Sequence, residues 1–237
     1  MREITSVGYR RERRRVAVAD LRLVDCRFDN CRGVGGAVSN VHVVNGYVWS
    51  CGLHDVVLDG CDIEGLRMTL PGPGGGKRMP LIVDGLLARH VRLSGKIGSL
   101  IWNPPHLEHG VHRSQEDAWV VARSFYEGVD WALDVREARF TSAPSLRYGP
   151  PGCLVRRDPT TQPLVTRRAA TRALDEASKE IGVWAYALKA FLKQPWLDDF
   201  VLIPASGASK ANRRKEEAGL QVLHDLGAFN DDPGTSP

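Results

Sequence analysis

The sequence predicts a short β-solenoid with an appended α-helical C-terminal region, mainly β plus α. Three observations predict it. Residues 16–70 repeat with a period of five, the same frame returns at 81–95, and residues beyond 113 carry helix-spaced apolar positions. With Val16 as a first place, the first places run Val16, Leu21, Cys26, Cys31, Gly36, Val41, Gly46, Cys51, Val56, Cys61 and Leu66. The third places run Val18, Leu23, Phe28, Gly33, Val38, Val43, Val48, Leu53, Leu58, Ile63 and Met68. Every one is apolar, Cys or Gly. The fifth places from Asp20 to Gly65 are all Asp, Asn, Ser or Gly, the turn formers. A helix buries positions three and four apart and a strand alternates by two, so neither fits. A chain that extends briefly and bends at each fifth residue winds into a coil. About four such sides make one turn, and turns stack at ~4.8 Å.

Units such as Cys26-Arg27-Phe28-Asp29-Asn30 and Cys61-Asp62-Ile63-Glu64-Gly65 place a small residue first and a large apolar one third. Over residues 16–95 the chain therefore resembles the pentapeptide-repeat family, which implies a right-handed quadrilateral β-helix. That family favours Asp or Asn second, whereas Arg22, Arg27, Arg32, His42, Tyr47 and Val57 stand there, so no family activity is carried over. Some members imitate DNA through an acidic surface; a formal net charge of +4 argues against that role here.

In order along the chain, residues 1–15 read as a basic arm, with Arg10, Arg11, Arg13, Arg14 and Arg15. They are followed by a β-helix over 16–147, an extended linker and helical capping region over 148–230, and a tail from 231. Four cysteines occupy first places and read as small core fillers; Cys31 and Cys51, one turn apart, stack. Tyr47 and Trp49 flank inward Val48 and point outward. A twenty-residue stack sets Tyr47 between Arg27 and Arg67, a cation–π column. Pro71 to Pro80 reads as a Gly-rich loop carrying Lys77 and Arg78. It lacks the residues of a phosphate-binding loop, with Pro71 where Gly is needed and Arg78 in place of Ser or Thr. Together Arg27, Tyr47, Trp49, Arg67, Lys77 and Arg78 form the candidate interaction surface. Leu81 then stacks over either Cys61 or Cys51.

His106, His109 and His112, three apart, are the candidate metal ligands. Ser114 reads as the N-cap of a helix to Glu127 with Ala118, Val121, Ala122 and Phe125 on its apolar face. Trp131 to Phe140 returns as a strand added to the end of the solenoid. Arg147, Arg156, Arg157, Arg167 and Arg168 form a basic zone. One long helix is expected over 168–193 and another from Ser209 to Leu226, ended by Gly227.

No Gly-x-Ser-x-Gly elbow, His-Glu-x-x-His or dinucleotide fingerprint is present. Asp84, Asp130 and Asp134 are candidate acids, but nothing in the sequence brings two together. The expected function is a non-catalytic interaction scaffold that binds a protein partner or its own copy, with no cofactor and no membrane. The alternatives are nucleic-acid binding through the arginine clusters, or a small enzyme or metal site near His106–His112. No apolar run is long enough for a span and no signal peptide is present, so the expected setting is cytoplasmic.

Overall fold

The fifth-place residues shape the backbone. A computed structural model of the chain describes residues 1–10, 13–68, 80–105, 107, 111–142, 145–146, 149–205 and 209–230. In it, Asp20, Asp25, Asn30, Gly35, Asn40, Asn45, Ser50, Asp55, Gly60 and Gly65, then Gly85, His90 and Gly95, all have φ between +50° and +71°. Asn and Asp are the non-Gly residues that tolerate this region best, which is why they recur there.

Between the bends the chain is extended. The strands are β1 (Arg2–Thr5), β2 (Gly8–Arg10), β3 (Arg13–Val24), β4 (Arg27–Asp29), β5 (Arg32–Trp49), β6 (Gly52–His54), β7 (Val57–Asp59) and β8 (Asp62–Arg67). Further along come β9 (Leu81–Asp84), β10 (Leu87–Arg89), β11 (Val91–Ile97) and β12 (Leu100–Asn103); residues 71–79, expected as a loop, lie outside the described residues. Helix α1 (Gln115–Tyr126) precedes β13 (Leu133–Phe140), β14 (Ser145–Leu146) and β15 (Val155–Arg156). These fifteen strands form one sheet, parallel throughout.

The expected fold class is corrected here. The protein is not a short β-solenoid with appended helices but a large parallel sheet curled into a half-barrel, joined to four helices. The physical reason is that pairing runs through the bends. The β3 strand passes Asp20, and β5 passes Gly35, Asn40 and Asn45 without interruption. A left-handed residue turns the strand without releasing its ladder, so the sheet curls instead of breaking into short separate sides. Nor does the sheet end near residue 95. Beyond α1, β13 pairs with β11, β14 with β12 and β15 with β13, so chain from the second half completes it. Residues 1–15, expected as an arm, supply β1, β2 and the start of β3.

Register is set by the repeat. Val38 pairs with Leu58 and Val43 with Ile63, an offset of twenty. Across the Gly-rich stretch Gly52 pairs with Ile82, Val57 with Leu87 and Asp62 with Arg92, an offset of thirty. The interruption is thus two repeat units long, and Leu81 falls over Cys51.

Helix α1 is capped by Ser114, whose Oγ accepts the Asp117 N–H at 3.1 Å. Its buried residues are Ala118, Ala122 and Tyr126, while Val121 is 45 % exposed, so the buried stripe is narrower than expected and rotated toward Tyr126. The C-terminal region holds β16 (Leu164–Thr166), α2 (Arg167–Ala177), α3 (Val183–Leu192), β17 (Asp199–Val201), α4 (Lys210–Asp225) and β18 (Phe229–Asn230). The β16 strand is the centre of a small antiparallel sheet with β17 and β18. The single helix expected over 168–193 is two, because Gly182 at φ +56° breaks it.

This region shares one core with the large sheet. A continuous apolar cluster includes Val91, Val135, Ile181, Leu188 and Leu223. Tyr126 joins the two parts: its Oη accepts the Ala88 N–H at 3.2 Å, and its ring stacks on Trp196 with centroids 5.9 Å apart. Among the described residues no helix is long and apolar enough to cross a membrane.

Candidate functional site

The expected cation–π column exists in part. Arg27 pairs in register with Tyr47, and Tyr47 with Arg67. The Arg27 guanidinium carbon lies 4.8 Å from the Tyr47 ring centroid. Tyr47 and Trp49 are both partly buried instead of prominently exposed. The Tyr47 hydroxyl is enclosed without a hydrogen-bond partner among the described residues, and burial raises its pKa above the ordinary phenol value. Lys77 and Arg78 lie outside the described residues.

Of the basic zone, Arg156 stacks over Trp131 at 4.2 Å and Arg157 is buried, donating to the Gln162 carbonyl at 3.0 Å. Arg167 donates to the carbonyls of Leu192, Gln194 and Leu197 at the end of α3. These three arginines hold the chain together; Arg147 lies outside the described residues.

His106 and His109 also lie outside the described residues. His112 is placed, and it leads to a cluster that sequence reasoning missed. Its Nε2 is 3.3 Å from Oδ1 of Asp55. Next to Asp55, His54 Nδ1 lies 2.8 Å from Asp84 Oδ2, and Asn103 Nδ2 donates to Asp84 Oδ1 at 3.0 Å. His54, Asp55 and Asp84 are all buried. Register brings them together: His54 pairs with Asp84 and Asp84 with Asn103, stacked at successive fourth places. Asp84 was visible in the sequence as an acid without a partner. The missing signal was the thirty-residue offset, which follows only if the loop is read as a whole-unit insertion.

This cluster holds the segment after β12 against the sheet. Gln115 strengthens the hold, donating to the Pro105 carbonyl at 3.0 Å. The His54 ring packs close to Gly52, where a β-carbon would stand 2.9 Å from Nε2. Among the described residues no group of three or more His, Cys, Asp or Glu side chains is arranged to hold a metal.

Asp55 is the costly member. Its side chain is 2 % exposed, and among the described residues its carboxylate faces His112 Nε2 at 3.3 Å without a well-aligned hydrogen bond. Burial raises its pKa, outweighing the attraction of His112 and then His54. A carboxyl raised in the folded state binds its proton more tightly there than in the unfolded chain. Its contribution is therefore intact below the unfolded value of about 4 and is lost as pH rises through the folded value. Asp55→Asn, which keeps a residue suited to φ +53°, is expected to raise the unfolding free energy by about 1 kcal/mol at pH 8. Near pH 4 it should change nothing. Urea unfolding at the two pH values checks this; an equal gain at both would contradict it.

Three concavities adjoin these elements. One of about 530 Å³ lies between β13, the turn at Thr160–Gln162 and α4, lined by Arg139, Arg213 and Glu217 among others. One of about 870 Å³ lies between Asn103–Pro105 and α3, with Tyr186, Lys189 and Lys193. The third, about 240 Å³, is the concave interior of the sheet around Leu23, Phe28, Val38, Val43, Leu53 and Leu58. The five cysteines are thiols. Cys26 and Cys61 are buried, and the Cys31 amide donates to Cys51 Sγ at 3.3 Å, the stacking expected of residues one turn apart.

No protein-family model, no curated protein and no solved structure matches this chain.

Proposed function

We propose that this protein is a non-catalytic interaction scaffold that associates with a second copy of itself through the open N-terminal edge of its large sheet. The observation that carries this reading is the asymmetry of the two ends. Among the described residues β1 pairs only with β3 and β2 only with β4, so their outer backbone groups face no strand. At the later end β10, β14 and β15 also have one strand partner each, but the outer edge of β10 is covered by Tyr126 of α1, whose Oη accepts the Ala88 N–H. A long open parallel edge is a ready template for strand pairing, and a two-fold pair satisfies it with identical chemistry on both sides. Kinship with pentapeptide-repeat proteins, and a reducing, cytoplasmic setting for its five thiols, belong to the same reading.

Light scattering of the full chain tests it. The 26.1 kDa chain should show twice that mass at micromolar concentration. The Ser6 amide donates to the Val24 carbonyl, so by strand alternation the Thr5 N–H faces away from β3. Thr5→Pro should therefore return the protein to one chain while leaving its melting temperature near the parent's. A parent of single-chain mass at about 100 μM, or a Thr5→Pro variant that stays dimeric, would overturn the proposal.

A further inference from the structure

The geometry points to a binding site for a small uncharged apolar molecule in the concave interior of the sheet, at its N-terminal end; this is independent of self-association. Inward residues form columns whose size changes along the sheet. One column runs Gly33, Leu53, Val83, Trp102. Another runs Val18, Val38, Leu58, Ala88. At the late end Trp102 fills the interior, and Val56, Val83, Ala88 and Val91 are at most 2 % exposed. At the early end the second column carries only valines, and Val18, Phe28, Val38, Val48 and Leu53 remain only partly buried. The space between them is the cavity of about 240 Å³.

Among the described residues its lining is aliphatic and aromatic, with thiols of Cys31, Cys51 and Cys61 as the only heteroatom side chains. Water has too few polar partners to settle there, since an ordered water needs about two to four. A charged occupant would lose its hydration with nothing in return. An apolar cavity of about 150 Å³ accommodates benzene. By that scale this one accepts an occupant of about ten carbon atoms, too little for a helix or strand of a partner. Partial exposure of the early third-place residues supplies the route in.

The full-length protein titrated with 1-naphthylamine, a neutral two-ring fluorophore of about ten carbon atoms, should give saturable enhancement at one equivalent per chain. 1-Decanol should displace it. Val38→Phe occupies the cavity from within its column and should weaken binding at least tenfold with an unchanged or raised melting temperature. Leu53→Ala enlarges the space and should shift the best competitor from 1-decanol toward 1-dodecanol, which keeps the test alive should Val38→Phe fail to fold. Val120→Ser, on the exposed face of α1, should bind as the parent does. So should Thr5→Pro, which separates this proposal from the dimer. The proposal is overturned by unsaturable enhancement, by failure of 1-decanol to compete, or by undiminished binding in folded Val38→Phe. An unaltered alkanol preference in Leu53→Ala, or half an equivalent bound with doubled mass, would also overturn it.

Discussion

Gly36→Ala should destabilise the protein by about 4 kcal/mol or more, a fall of roughly 10 °C in melting temperature, whereas Gly35→Asn should cost under about 1 kcal/mol. Both glycines have positive φ, +95° at Gly36 and +65° at Gly35. The difference is what surrounds them. A β-carbon at Gly36 would stand 1.9 Å from the Val16 carbonyl oxygen and 3.0 Å from its carbon, and backbone cannot swing aside. At Gly35 nothing lies within 4 Å, and Asn already occupies equivalent turns at residues 30, 40 and 45. The close approach arises from a bulge. Arg14 pairs with Gly33 but Val16 with Gly36, so Val34 and Gly35 together face Arg15. Relieving the clash means opening the β3–β5 ladder, the longest pairing in the sheet. Thermal unfolding of the two variants side by side checks this, and equal losses would place the bulge elsewhere.

Trp102→Ala is the second large effect, expected to cost about 3–5 kcal/mol. Trp102 is 2 % exposed, and its Nε1 donates to the Leu86 carbonyl at 2.9 Å. The side chain closes the interior between β9 and β14, so its loss opens a hole and strands a buried carbonyl. Trp102→Phe keeps most of the packing and loses only the donor, so it should cost roughly 1–2 kcal/mol. Urea denaturation reads both. A Phe variant as damaged as the Ala variant would mean that the hydrogen bond, not the filled volume, dominates.

Much of this was legible in single residues. Each fifth place named from the sequence adopts the left-handed backbone, because Asn, Asp, Ser and Gly reach that region at lower cost than branched side chains. The caps at Ser114 and Ser209 were legible for the same local reason: the hydroxyls accept the amides of Asp117 and Asn212. The stack of Tyr47 on Arg27 followed from the twenty-residue spacing alone.

What failed needed knowledge of distant chain. The solenoid expectation treated each turn former as the end of a side. Whether a ladder breaks at a bend depends on the strand beside it, and here the neighbour bends in step, so the sheet stays whole and curls. The buried stripe of α1 turned toward Tyr126 because that ring has Trp196 and the Ala88 amide to meet, both far away in sequence. His54 and Asp55 passed unnoticed because their partners, Asp84 and His112, arrive only once the interruption is counted as two whole units.

The sequence by itself determined where the chain bends, which residues face inward and where helices begin, since backbone preference and short-range period decide those. Tertiary structure alone decided that the bends curl one continuous sheet, that Trp102 closes its interior, and that three buried polar side chains, His54, Asp55 and Asp84, meet with His112. Those features depend on register between strands twenty to thirty residues apart. Hydrogen bonds and packing across that distance select the register, and no single unit of five carries it.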